Sequence, residues 1–211
     1  MNLLLNKLAN LVSYILHPML MPTYMLAFLL NSKAFFMIPI PPQLSKYVYG
    51  IVICFTIVLP ITFALYLKRN GIIASLKMAD KSERNTPFLF TAGCYFGVFY
   101  VMHKTHLTLL LNIMLLGAII SLLLLLLLNH KTKVSAHTVG IGGALGTILC
   151  IQFFLNVNMI IYTLLAILIC GIVGSSRLIL KAHSHKQIYA GYALGILGQF
   201  IIYSFYKFLV F

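Results

Sequence analysis

The strongest constraint on this chain is its succession of apolar runs, each close to the length that crosses a lipid bilayer. At 1.5 Å rise per residue, a helix needs about 20 apolar residues to cover roughly 30 Å of hydrocarbon. Seven segments approach that length, at about 11–30, 47–67, 88–102, 107–128, 138–155, 159–174 and 187–208. The third and sixth are short, and Pro18, Pro22 and Pro60 are expected to kink the first two. Pro39, Pro41 and Pro42 mark the first connection as non-helical. A chain that is 62% hydrophobic and 8% charged lies far outside the range of a soluble domain. The expected fold is therefore all-α: a polytopic transmembrane bundle of six or seven spanning helices, forming a single integral membrane domain over residues 1–211. The first residues, Met1 to Lys7, have no basic leader before the apolar run and read as part of the mature chain rather than a signal peptide.

Charge is lopsided, with 15 Lys and Arg against two acids, Asp80 and Glu83, and a formal charge of +13. In a soluble protein that balance would suggest nucleic acid. Here the cations gather at the ends of apolar segments, where anionic headgroups and topology explain them, so no nucleic-acid partner is expected. Cys54, Cys94, Cys150 and Cys170 lie inside apolar runs without Cys-x-x-Cys spacing, which indicates neither a disulfide framework nor a zinc site. His103 and His106 share a short loop with no carboxylate nearby and do not read as a metal site, and His17 and His130 read as interfacial. No cofactor is called for, and the oligomeric state is not legible.

With alternating connections, the N-terminus and the loops near 68–87, 129–137 and 175–186 fall on one side of the membrane. Eleven of the fifteen Lys and Arg share that side, and so do both acids. The bias predicts that this side faces the cytoplasm. The parity also allows three polar loops to build one shared site within residues 77–195.

The densest of these loops packs Arg177, Lys181, His183, His185 and Lys186 into ten residues just before the last apolar segment. On a helix, His183, Gln187, Gly191 and Gly195 would lie along one face, with an imidazole and an amide above two turns bare enough for another helix to approach. On the fifth segment, Ala136, Gly140 and Ala144 form one such row and Gly142 and Gly146 another. Close contact between the fifth and seventh helices would then set His137 and His183 across one pocket.

The first loop carries Lys77, six residues, then Arg84. The second carries Ser135-Ala136-His137. The third carries Ser176-Arg177, five residues, His183, three residues and Gln187. In order, spacing and helix context these resemble the three motifs of the type 2 phosphatidic acid phosphatase superfamily, the membrane lipid phosphatases and their haloperoxidase relatives, across about half of the chain. The pattern differs at Asn85, where the family has Pro, at Val134 and Ala136, and at Gln187, where the family has Asp.

The resemblance implies a metal-independent lipid phosphatase. His183 would be the nucleophile that forms a phosphohistidine. His137 would be the acid and then the base, Gln187 the orienting group, and Lys77, Arg84, Ser135 and Arg177 the phosphate ligands. The residue types suit that chemistry independently, since a transferring phosphoryl group spreads charge over three oxygens that cationic forks and helix-start donors can hold. The substrate would be a membrane phospholipid or polyprenyl phosphate that enters sideways from the bilayer. Three of the eleven cations would then serve phosphate, leaving eight against four, a weaker lean toward the cytoplasm, while the resemblance also allows a site on the outer side. Gln187 leaves two readings open: catalysis with a neutral orienter, or a headgroup-binding protein of the same fold with little turnover. In the serine-protease triad, the corresponding loss of charge costs about 10⁴ in turnover. A transporter fits less well, because the middles of the segments lack ionisable residues.

Overall fold

The computed structural model describes residues 3–32, 41–78, 80–105 and 109–210, with Pro42 and residues 207–210 described by backbone alone. Within them the chain is helical throughout its ordered elements. Helix α1 (Leu3–Ile15) is followed by a 3₁₀ turn (Pro18–Leu20) and α2 (Met21–Asn31). Helix α3 (Pro42–Ile53) passes through one π turn (Cys54–Val58) into α4 (Leu59–Arg69). Then come α5 (Asn85–Thr105), α6 (Leu109–Asn129), α7 (Ala136–Leu155), α8 (Ile160–Ile179) and α9 (His185–Val210). Six helical stretches are long and apolar enough to cross a membrane: Leu3–Asn31, Gln43–Arg69, Leu109–Asn129, Ala136–Leu155, Ile160–Ile179 and His185–Tyr206. The protein is an all-α polytopic membrane bundle.

Several boundaries differ from the sequence reading. The first helix starts at Leu3, not near residue 11, and breaks at His17–Leu20, where His17 is extended (φ −68°, ψ 139°) and Pro18 opens the 3₁₀ turn. The fifth and eighth helices are longer than expected, at 21 and 20 residues, because polar residues continue their last turns. Arg177 is thereby moved out of the loop and onto the last turn of α8, where a cation complements the negative end of the helix dipole. His183 is moved the other way. It precedes α9 rather than riding on it, so only Gln187, Gly191 and Gly195 share the helical row. His106 and most of the proline-rich first connection lie outside the described residues.

Helix α7 is the centre of the bundle, with 11 of its 20 residues buried against 5 of 20 for α8. It runs parallel to α9 in nearly backbone-to-backbone contact. A methyl group on Gly142 would stand 2.8 Å from the Tyr192 carbonyl oxygen, and one on Gly146 2.9 Å from the Ile196 Cα. On the facing helix, a methyl on Gly195 would run into the Val139 carbonyl and the Gly143 amide. Helices in a bilayer lack a hydrophobic drive to associate, so this approach supplies dispersion contact that bulkier residues would prevent. Antiparallel α6 completes the layer, with Ser121 Oγ donating to its own Gly117 carbonyl at 2.8 Å and facing the Leu194 carbonyl at 3.3 Å. The consequence for function is positional: the first turns of α7 and α9 are fixed side by side at one end of the bundle.

Candidate functional site at one rim of the bundle

Four chain segments meet at that end. Arg84 closes the turn that leads into α5 and is 7% exposed. Its Nε donates to the Met78 carbonyl at 3.0 Å and its Nη1 to the Val134 carbonyl at 3.2 Å, which ties the first loop to the second. Asn129, at the end of α6, donates to the Lys81 carbonyl at 2.7 Å and to Asn85 Oδ1 at 2.8 Å. Asn85, the residue that stands in place of Pro, thus staples α5 to α6.

The second and third loops are joined by the backbone. The Ser135 amide donates to the Gln187 carbonyl at 3.4 Å. Ser135 is fully buried and caps α7, its Oγ accepting from the Thr138 amide at 3.4 Å, as hydroxyls at this position do. Its hydroxyl is committed first to the helix start.

His183 Nδ1 lies 3.1 Å from the Lys133 carbonyl oxygen and 3.2 Å from Gln187 Oε1. The amide orientation of Gln187 is fixed by a second donor, since the Ser184 amide also donates to Oε1 at 3.2 Å. Both neighbours of Nδ1 are acceptors, so Nδ1 carries the proton and Nε2 holds the lone pair. Burial, with the charges of Arg84 and Arg177 adding to it, pushes the ring pKa down to about 4. At neutral pH it is an uncharged imidazole in the tautomer that an in-line attack through Nε2 requires.

His137 is held from an unexpected direction. Its Nε2 lies 3.1 Å from the Ser13 carbonyl oxygen of α1. Arg177 Nη1 donates to Ser13 Oγ at 2.9 Å, and the Arg177 Nε is buried without a hydrogen-bond partner. His17 stands edge-on to His137, ring centroids 5.2 Å apart. The two histidines of the motifs, His137 and His183, lie near enough to interact electrostatically, as do Arg84, Arg177 and Lys133.

The resulting electrostatics are unusual. Burial and the Arg177 charge lower the Arg84 pKa, and burial followed by Arg84 and Arg177 lowers that of Lys133. Among the described residues, no carboxylate bonds to either guanidinium. Asp80 Oδ1 accepts from the Ser82 amide at 2.9 Å and Glu83 Oε1 from the Ala74 amide at 2.7 Å, so both acids hold loop backbone. Asp80 is near enough to act on Lys133, but the two partly desolvated guanidiniums have no carboxylate partner among the described residues, and an anion relieves the cost of holding them together.

Six of the seven expected site residues therefore gather here: His183, Gln187, His137, Ser135, Arg84 and Arg177. Lys77 does not. Its side chain is exposed, and from this loop it is the Met78 carbonyl, on a residue in the left-handed conformation (φ 46°), that meets Arg84. Lys133 is the cation that the cluster includes in its stead. Ser13 was not expected here, and His17 was expected at the interface but not beside His137. Their trace in the sequence is a polar row, Asn6, Asn10, Ser13 and His17, at helical spacing through an apolar segment. Compared with known protein families, curated proteins and solved structures, the chain matches none.

Proposed function

We propose that this protein is a membrane lipid phosphatase that hydrolyses a phosphomonoester or pyrophosphate of a lipid through a phosphohistidine. One observation carries the reading: His183 is buried, neutral and tautomerically fixed beside two guanidiniums that have no carboxylate partner. That combination pairs an in-line nucleophile with an anion clamp.

His183 Nε2 would attack phosphorus while the P–O bond to the lipid breaks. The bonding pair leaves on the lipid oxygen, which takes its proton from His137, a ring that the negative charge of the bound phosphate would hold in the imidazolium form. Water then attacks the phosphorus, His137 takes the water proton, and the P–N bond breaks to release phosphate. Arg84 and Arg177, with Lys133, would hold the equatorial oxygens. No metal enters this scheme. The charge bias favours the cytoplasmic side of a cell membrane for the site; phosphatidate-like lipids or polyprenyl phosphates would present their headgroups at the depth of the cluster.

Phosphate release from a panel of lipid phosphates in detergent, with chelator present, tests the proposal. Release that falls about 10³-fold or more in His183→Ala supports it. A chain that binds the same headgroups but releases no phosphate, with His183→Ala unchanged, identifies a non-catalytic headgroup-binding protein instead.

A further inference from the structure

Helix α1 has three differently furnished sides. Leu4, Leu8, Leu11 and Ile15, at spacings of four, three and four, are all exposed. Ala9 and Ser13, one turn apart, are buried, and the helix packs chiefly against α8. Asn6, Asn10 and Lys7 occupy the arc between the packed edge and the apolar stripe, with Tyr14 and the exposed Leu3 of the first turn among them. An apolar stripe facing a polar arc across one packed edge is the furnishing of a helix that lies in the membrane interface, not of one surrounded by hydrocarbon.

The position of the helix agrees. Ser13 bonds to His137 on the first turn of α7 and to Arg177 on the last turn of α8, so the C-terminal end of α1 is level with the ends of two spanning helices. The 20 residues of α7 already cover about 30 Å, the whole hydrocarbon thickness. A bend follows at once. The Tyr24 hydroxyl donates to the Ile15 carbonyl at 2.8 Å, although a straight helix would separate those residues by about 13 Å along its axis. The chain thus changes direction at Pro18, and the apolar stripe of α1 has the acyl-chain boundary to rest on.

We infer that α1 is an in-plane amphipathic anchor: its Leu4–Leu8–Leu11–Ile15 stripe docks on the lipid surface, its Asn and Lys arc faces the headgroups, and its inner edge walls the Arg177–His137 site. The partner is the bilayer itself, with anionic headgroups suited to Lys7 and the chain's surplus of cations. This inference does not depend on catalysis.

The chain contains no Trp, so single tryptophans report depth without background. Full-length Leu4→Trp, Leu8→Trp, Leu11→Trp, Asn6→Trp and Asn10→Trp variants are reconstituted in vesicles of mixed phosphatidylcholine and phosphatidylglycerol. Emission is then quenched by lipids brominated at graded depths and by aqueous acrylamide. The expected result is that the three leucine positions share one shallow depth while the two asparagine positions are quenched by acrylamide. Depth that changes steadily from position 4 to 11 means a spanning helix and overturns the inference. Uniform acrylamide quenching, or protection from both quenchers, overturns it as well. Because phosphate release is not read, failure here leaves the phosphatase proposal standing, and the reverse also holds.

Discussion

Gln187 accepts from His183 where a charged orienter would ordinarily be expected, with Oε1 3.2 Å from the ring Nδ1. The same oxygen takes the Ser184 amide, and the Lys133 carbonyl supplies a second acceptor to Nδ1 at 3.1 Å. Tautomer and ring orientation are therefore secured twice over by neutral groups. What these groups do not supply is charge to stabilise an imidazolium or a phosphorylated ring.

This division predicts different outcomes for two substitutions. Gln187→Leu removes one of two acceptors, so phosphate release is expected to fall about tenfold, with the Lys133 carbonyl retaining the tautomer. Gln187→Asp keeps the acceptor and adds charge, which favours the cationic ring, raises the His183 pKa and is expected to raise turnover about tenfold. Steady-state assays of both variants check this, and an active chain indifferent to Gln187→Asp would show that ring charge is not the limitation.

Acid stability gives a second prediction. The folded chain holds His183 near pKa 4, against an ordinary value of 6.5, mainly by burial. Between those values the unfolded chain binds more protons than the folded one, so stability rises with pH across the window. The contribution is fully present above the ordinary value and is lost as the pH falls toward 4. Thermal midpoints in detergent are expected to drop through that range and to drop less steeply in His183→Gln. Parallel slopes in the two proteins would remove His183 as the cause.

How much of this was legible beforehand depends on whether the pattern was local or spatial. Membrane spans follow from apolar run length, and the pairing of α7 with α9 follows from Gly142, Gly146, Gly191 and Gly195 at helical spacing. The gathering of Arg84, Ser135, His137, Arg177 and His183 followed from their motif spacing and the parity of the connections. Lys77 misled because the left-handed turn at Met78 is set by the loop's hydrogen bonds, with no glycine to announce it. Ser13 was only half legible: its hydroxyl, which accepts from Arg177, belongs to a polar row at helical spacing, but its carbonyl holds His137, and the backbone is the same at every residue. His17 escaped because a bend at Pro18 decides where it points, and bend direction is a product of packing.

The α7–α9 contact makes a stability prediction with an internal control. Gly195→Ala puts a methyl into the Val139 carbonyl and the Gly143 amide, both backbone groups that cannot rotate aside. The helices must separate, at a cost of about 1–3 kcal/mol or more. Gly171→Ala, on the outer face of α8, meets nothing within 4 Å and is expected to leave stability unchanged or raise it by up to about 1 kcal/mol through helix propensity. Unfolding midpoints of the two variants, measured in one detergent, make the comparison. Similar losses in both would mean that the close approach of α7 and α9 does not carry the bundle.

Anion binding separates the cations of the cluster from those beside it. A ligand that binds only the folded chain stabilises by RT ln(1 + [L]/Kd), about 2.7 kcal/mol at a hundredfold excess over Kd. Inorganic phosphate is therefore expected to raise the thermal midpoint of the native chain. Arg84→Gln and Arg177→Gln remove a fork each and are expected to abolish the rise, while Lys133→Gln weakens it. Lys77→Gln is expected to keep all of it, because that side chain is exposed. The contrast between the two lysines is the sharp part: motif spacing points to Lys77 for the proposed phosphate contact, whereas Lys133, whose pKa burial and then Arg84 and Arg177 lower, is the lysine beside the two guanidiniums. If Lys77→Gln abolished the rise and Lys133→Gln preserved it, the loop would have to rearrange on binding to bring the Lys77 ammonium in beside Arg84.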